Sequence, residues 1–214
     1  MIKLNKTPVP AILAKNAKKW TDVVLEKVRG NEKLTVAEKS HYSHQDIKAA
    51  IIRETNGKCA YCESKIRHIS YGDVEHVVPK NVEPKLWFEW NNLTLACDVC
   101  NTNKGINVGL VDPYGDDPEK RFVFFGPMVA PMPSDGSAFM THRILDLNRD
   151  ALVGRRWEAI EYLMRFLELI EKTVDPVIKK VLQEDFNNEL LDVKEYAAMK
   201  RTVANNAKLK GILV

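Results

Sequence analysis

Two Cys-x-x-Cys pairs constrain this chain more than any other feature. Cys59 and Cys62 form the first and Cys97 and Cys100 the second, and they account for all four cysteines in 214 residues. Two such knuckles turn four thiolates into a tetrahedral cage that suits zinc at about 2.3 Å per bond. A cage with four protein ligands has no open position, so the expected zinc is a staple and does no chemistry. Residues 63–96 separate the pairs, a longer interval than such sites usually carry, so something is built between the knuckles. Disulfides are the weaker alternative. The start, MIKLNKTPVPAILAKNAKKW, is interrupted by lysines and has no apolar signal core. A cytosolic location is therefore expected, where thiols stay reduced. A thiol-redox site needs one pair in a strand–helix setting, and nothing calls for two.

Between the knuckles, residues 72–80 (GDVEHVVPK) alternate enough to form a strand that ends at Pro79. Residues 92–96 (NLTLA) read as a second strand running into the second knuckle. Residues 97–105 (CDVCNTNKG) then read as a short helix stopped by Gly105. The module is thus strand, long loop, strand, helix, with its ends fastened by zinc.

These residues carry a resemblance. The pair Glu75-His76, the later Asn92-Leu93, and Asn101 directly after a knuckle cysteine resemble the signature of the HNH (ββα-metal) endonucleases. The resemblance implies a ββα-metal nuclease core that hydrolyses DNA phosphodiester bonds with a divalent cation. Histidine titrates near neutrality, so His76 is the expected general base. Glu75 and Asn101 are the expected oxygen ligands of a hard cation, Mg²⁺ or Mn²⁺. Asn92 is expected to brace the loop that aims the histidine. Lys80 and Lys104 are expected to contact backbone phosphates. Asn101 stands where many family members carry histidine, which leaves the metal's identity open. Neighbouring strand residues face opposite ways, so aiming Glu75 and His76 at one site requires the strand to break at that pair. Asp73 shares a strand face with Glu75 and is a second candidate ligand. His41, His44, His68 and His142 lack such company and read as ordinary surface or core histidines.

The remainder of the chain frames this module. Composition, 45% hydrophobic and 29% charged, is that of a globular protein, and no apolar run reaches the roughly 18 residues of a membrane span. The net charge of +3 is too small to demonstrate a nucleic-acid partner. Residues 1–57 are read as an N-terminal helical segment: Pro8 and Pro10 give an extended lead-in, one helix spans 11–29, and a second runs from a Ser43 cap to Asn56-Gly57. Residues 58–107 are the nuclease core. Residues 108–148 are a Gly/Pro-rich connection with one strand at 121–125 and a short helix near 137–147. Residues 149–214 are C-terminal helices. One carries the stripe Trp157, Ile160, Leu163, Met164, Leu167 and Ile170, and after Pro176 another runs to about Ala204. The fold expected is mainly α with a small α+β module, the four segments forming one compact unit.

Outer stretches are also similar to one branch of the family, the HNH nucleases of Septu-type and retron-associated anti-phage systems. These are the proline-bearing start, residues 73–80 (DVEHVVPK), 110–113 (LVDP), and 145–148 (LDLN) followed by Arg155 and Arg156. That branch implies an effector subunit of a bacterial defence complex with an ATPase partner. The alternative is a non-catalytic, zinc-stapled adaptor that binds nucleic acid or protein, because the cage alone would look the same.

Overall fold

The computed structural model describes residues 1–68 and 70–209. Residues 210–214, the end of the C-terminal segment, lie outside the described residues. Helix α1 (Ala11–Arg29) starts after Pro10 and stops at Gly30, burying Leu13 and Val24. A short helix α2 (Val36–Ser40) follows, which periodicity alone misses because it is a single turn. Its signal is a capping box: Thr35 Oγ1 accepts from the Glu38 amide at 3.2 Å, and the Glu38 carboxylate accepts from the Thr35 amide at 2.7 Å.

Helix α3 (Gln45–Glu54) is capped by His44 rather than Ser43. The Ser43 hydroxyl instead donates to the Ser40 carbonyl at 2.6 Å, within the tight turn His41–Ser43. At the far end, Asn56 (φ 55°) and Gly57 (φ 69°) take left-handed conformations that stop the helix, as the Asn-Gly pair predicts.

The module between the knuckles has the expected order. Strand β1 (Asp73–His76) pairs antiparallel with β2 (Leu93–Ala96), with Glu75 opposite Thr94 and His76 opposite Leu93. Helix α4 (Asp98–Lys104) follows and ends at Gly105, whose φ of 50° suits glycine.

The connecting region holds more structure than its composition suggests. Helix α5 (Pro118–Arg121) leads into β3 (Phe122–Phe125), which pairs antiparallel with β4 (Met128–Pro131). The expected strand is therefore one arm of a hairpin. The expected short helix is α6 (Gly136–Ile144), N-capped by Asp135.

In the C-terminal segment α7 spans Asp150–Lys172 and α8 spans Pro176–Asn188. The single helix expected from Pro176 to about Ala204 is corrected. The chain turns over 189–196 and restarts as α9 (Ala197–Leu209). Tyr196, Ala197, Ala198, Met199 and Lys200 are five consecutive buried residues. A lone surface helix buries only one stripe, so such a run requires the chain to dive into the core there. Trp157 and Met164 are also corrected: each is 52% exposed, and the buried stripe of α7 is Leu152, Arg156, Ile160, Leu163, Leu167 and Ile170.

Two apolar clusters result. The larger joins Met1, Ile2 and Leu4 to the module and to the start of α7. The smaller joins Leu163, Leu167, Ile170, Phe186, Ala204 and Ala207. The proline-bearing lead-in is extended but not free. The Leu4 amide donates to the Pro113 carbonyl at 2.8 Å, and the Trp90 indole donates to the Thr7 carbonyl at 2.8 Å. No helix among the described residues is long and apolar enough to cross a membrane.

Candidate active site

The four cysteine sulfurs converge, all within 4.8 Å of one another. Cys62 Sγ and Cys97 Sγ are 3.9 Å apart. A tetrahedron of Zn–S bonds of about 2.3 Å has edges of about 3.8 Å, close to the Cys62–Cys97 separation, so the four cysteines could hold a zinc ion. Each knuckle is shaped locally. In the first, the Cys59 amide donates to the Ser64 carbonyl at 2.9 Å and Glu63 takes φ 65° to close the turn. In the second, Cys97 caps α4 and its sulfur accepts from the Cys100 amide at 3.5 Å. Arg149, immediately before α7, donates to Cys100 Sγ at 3.8 Å. The sequence offered no sign of that partner, which arrives from 49 positions away.

The module also carries a cleft of about 270 Å³, lined by Glu75, His76, Lys80, Asn101, Tyr42 and Ile106 among others. The expected break at the Glu75-His76 pair is corrected: both residues lie within β1, opposite Thr94 and Leu93, and both still line the cleft, the strand ending only after His76. Past that point the Val77 amide still bonds the Asn92 carbonyl at 2.9 Å. Then the Asn92 side chain takes over. Its Oδ1 accepts from the Val78 amide at 2.7 Å, and its Nδ2 donates to the carbonyls of Val78 at 2.9 Å and Leu86 at 3.0 Å. A buried amide making three backbone bonds fixes both ends of the loop between the strands.

His76 is 4% exposed. Its Nε2 lies 2.9 Å from the Trp87 carbonyl. A carbonyl only accepts, so Nε2 carries the proton and the lone pair resides on Nδ1. Burial, reinforced by the positive charges of Lys80 and Lys104, lowers its pKa to about 4 against a hydrogen bond to Trp87 that works the other way. The ring is therefore neutral at pH 7 and able to accept a proton.

Glu75 is buried, and burial pushes its carboxyl above the usual range, opposed by Lys104. Lys104 Nζ sits 2.7 Å from Glu75 Oε1 and donates to the His76 carbonyl at 2.8 Å. Its side chain is 1% exposed, so the structure places Lys104 beneath the cleft rather than on its surface. Asn101 lines the cleft and its Nδ2 donates to Asp73 Oδ2 at 2.8 Å, which leaves its amide oxygen as an acceptor. Glu75 likewise keeps a second carboxylate oxygen. Two oxygen donors suit a hard cation that completes its shell with water and substrate phosphate.

Lys80 also lines the cleft, its ammonium 2.9 Å from the Tyr42 hydroxyl. Tyr42 is the site residue that sequence reasoning missed. It precedes the first cysteine by 17 positions, and no local pattern ties it to the module.

Residues 59–106 match the HNH endonuclease family model. The chain is 28% identical over 236 residues to the Septu protein PtuB of Bacillus thuringiensis, covering 100% of this chain and 87% of that one. It is 27% identical over 163 residues to the Septu protein PtuB of Bacillus mycoides (strain KBAB4), covering 58% and 55%. Residues 59–106 are thus an HNH endonuclease domain, set in a chain that is PtuB-like along its whole length.

Proposed function

We propose that this protein is a metal-dependent endonuclease that hydrolyses DNA phosphodiester bonds. The observation that carries the reading is the convergence of Glu75, His76, Lys80 and Asn101 on one cleft in a ββα frame. His76 Nδ1 takes the proton of the attacking water, its ring held in the correct tautomer by Trp87. Glu75 and Asn101 would hold a Mg²⁺ or Mn²⁺ ion. When bound, that ion would supply Lewis-acid stabilisation of the phosphate and of the departing 3′ oxygen. Lys80 meets the backbone phosphate as a sequence-blind charge, and Asn92 keeps the loop that sets the histidine. The zinc cage holds the frame and takes no part in the reaction.

The same reading extends to setting. Similarity to Septu protein PtuB supports a role as effector subunit of a bacterial anti-phage complex, in the cytoplasm, acting with an ATPase partner. Co-purification from the native operon tests that partnership, and recovery of this chain alone would count against it.

The catalytic test uses the wild type and His76→Ala, both assayed for zinc, on plasmid DNA with Mg²⁺ or Mn²⁺ and an EDTA control. Wild type should cut only with metal, and His76→Ala should be slower by about 10²–10⁴-fold, the range of a lost general base. Undiminished cutting by the variant would refute the assignment. Binding that survives the variant without any cutting by the wild type would favour the adaptor reading.

A further inference from the structure

The HNH match begins at residue 59, yet one wall of the cleft comes from earlier in the chain. Tyr42 lies in the tight turn His41–Ser43 between α2 and α3. That turn is held from both sides. His41 stacks flat on Trp20 of α1, with ring centroids 4.5 Å apart and planes inclined by 13°. His44 caps α3 through its Nδ1, and the Ser43 hydroxyl ties back to Ser40. Tyr42 therefore projects from a fixed platform.

It makes two contacts there. Its ring meets the His76 ring edge-on, centroids 4.6 Å apart at 76°. Its hydroxyl accepts from Lys80 Nζ at 2.9 Å, and the same ammonium sits 4.5 Å from the Tyr42 ring centroid and 5.3 Å from that of Trp87. A lysine on the rim of a cleft is ordinarily a mobile point charge on a four-carbon stem. Here two aromatic faces and a hydroxyl confine it. An ammonium has three donors, and one is spent on Tyr42, so two remain for an anion entering the cleft. The histidine is confined in the same way. Trp87 fixes Nε2, and the edge-on contact with Tyr42 fixes the plane of the ring.

We propose that Tyr42 is a positioning residue of the nuclease site, fixing the Lys80 ammonium as a phosphate clamp and the His76 ring as a base, so that the N-terminal segment is part of the active site. This rests on the nuclease reading of the cleft. It assigns separate tasks to two parts of one side chain: the hydroxyl serves substrate binding through Lys80, and the ring serves the chemical step through His76.

The experiment uses the full chain as wild type, Tyr42→Phe, Tyr42→Ala, Lys80→Met and the Tyr42→Phe/Lys80→Met double variant, each checked for zinc content and melting temperature. Binding to a DNA duplex is measured without added divalent ion over a series of salt concentrations, and cleavage is measured with Mg²⁺ or Mn²⁺. Tyr42→Phe keeps the packing and should raise KM about three- to tenfold with kcat retained, the scale of one lost hydrogen bond. Lys80→Met should weaken binding similarly and lower the salt slope by about 1. The double variant should be no worse than Lys80→Met. Tyr42→Ala should in addition lower kcat by about tenfold or more, because the base is no longer aimed. Additive effects of Tyr42→Phe and Lys80→Met, or wild-type kcat and KM in both Tyr42 variants, would overturn the proposal while leaving the nuclease reading intact. A wild type that neither binds nor cuts DNA would remove both. Should Tyr42→Ala misfold, the Tyr42→Phe and Lys80→Met comparison decides alone.

Discussion

Burial sets the protonation of His76, and that has a cost the protein reveals under acid. An exposed histidine titrates near 6.5, whereas His76 in the folded chain is held down to about 4. The unfolded chain therefore binds this proton more readily than the folded one. The stability tied to the neutral ring is fully present above pH 6.5 and is lost as the pH falls toward 4. A shift of this size corresponds to about 2–3 kcal/mol between pH 7 and pH 4.5. His76→Gln should accordingly lose less stability over that interval than wild type, by about that amount, in denaturant titrations at the two pH values. The cage's own acid sensitivity is common to both proteins and cancels. Parallel losses in wild type and variant would contradict the assigned shift. That Glu75, His76 and Asn101 meet at one cleft, with Asn92 bracing the adjoining loop, was legible from the resemblance, because a motif lists residues that one short module must hold together. The place of Lys104 was not. Its residue type suggested a phosphate contact, and only the fold shows its ammonium joined to Glu75 and to the His76 carbonyl.

Zinc bound by four thiolates leaves a net charge of −2 on the cage, and the element that answers it is α7. Arg149 opens that helix with its guanidinium 3.8 Å from Cys100 Sγ, and also donates to the Leu145 and Asp146 carbonyls. Partners outside the ligand set tune metal retention, and their loss typically costs 10–100-fold in affinity. Arg149→Met should release zinc to a chelator about tenfold faster than wild type, with Arg149→Lys between the two, as followed by a colorimetric zinc indicator. Equal release from all three would show that the cage needs no outside charge. Element boundaries were readable where a local signal existed. Pro10 and Gly30 bracket α1, and Asn56-Gly57 ends α3. The break between α8 and α9 was not readable, because residues 189–196 contain neither glycine nor proline. What stops the helix there is the burial of Tyr196–Met199 in the main core, which competes successfully with local helical preference.

At the scale of the molecule, the nuclease module shares its core with segments far from it in sequence. Met1, Ile2 and Leu4 are buried in the same cluster as Cys59, Leu93 and Leu95. Glu54 gathers Lys6, the Thr7 amide and the Tyr114 hydroxyl around one carboxylate. A fragment spanning residues 58–107 should therefore show no cooperative melting transition even with zinc supplied, while the full chain does. Calorimetry of the two would decide, and a sharp transition in the fragment would mean that the flanking helices are dispensable for its folding. By itself the sequence determined the cage, the strand–strand–helix order and the acid–histidine pair, because each depends on ligand spacing or on periodicity within a few tens of residues. Tertiary structure alone decided that Tyr42 walls the cleft, that Arg149 attends the cage and that Lys104 lies beneath Glu75. Those contacts arise when segments separated by 28 to 49 positions close on one another, Tyr42 reaching His76 across 34. Such closure is driven by non-directional burial of apolar surface, which leaves no local pattern in the chain to read.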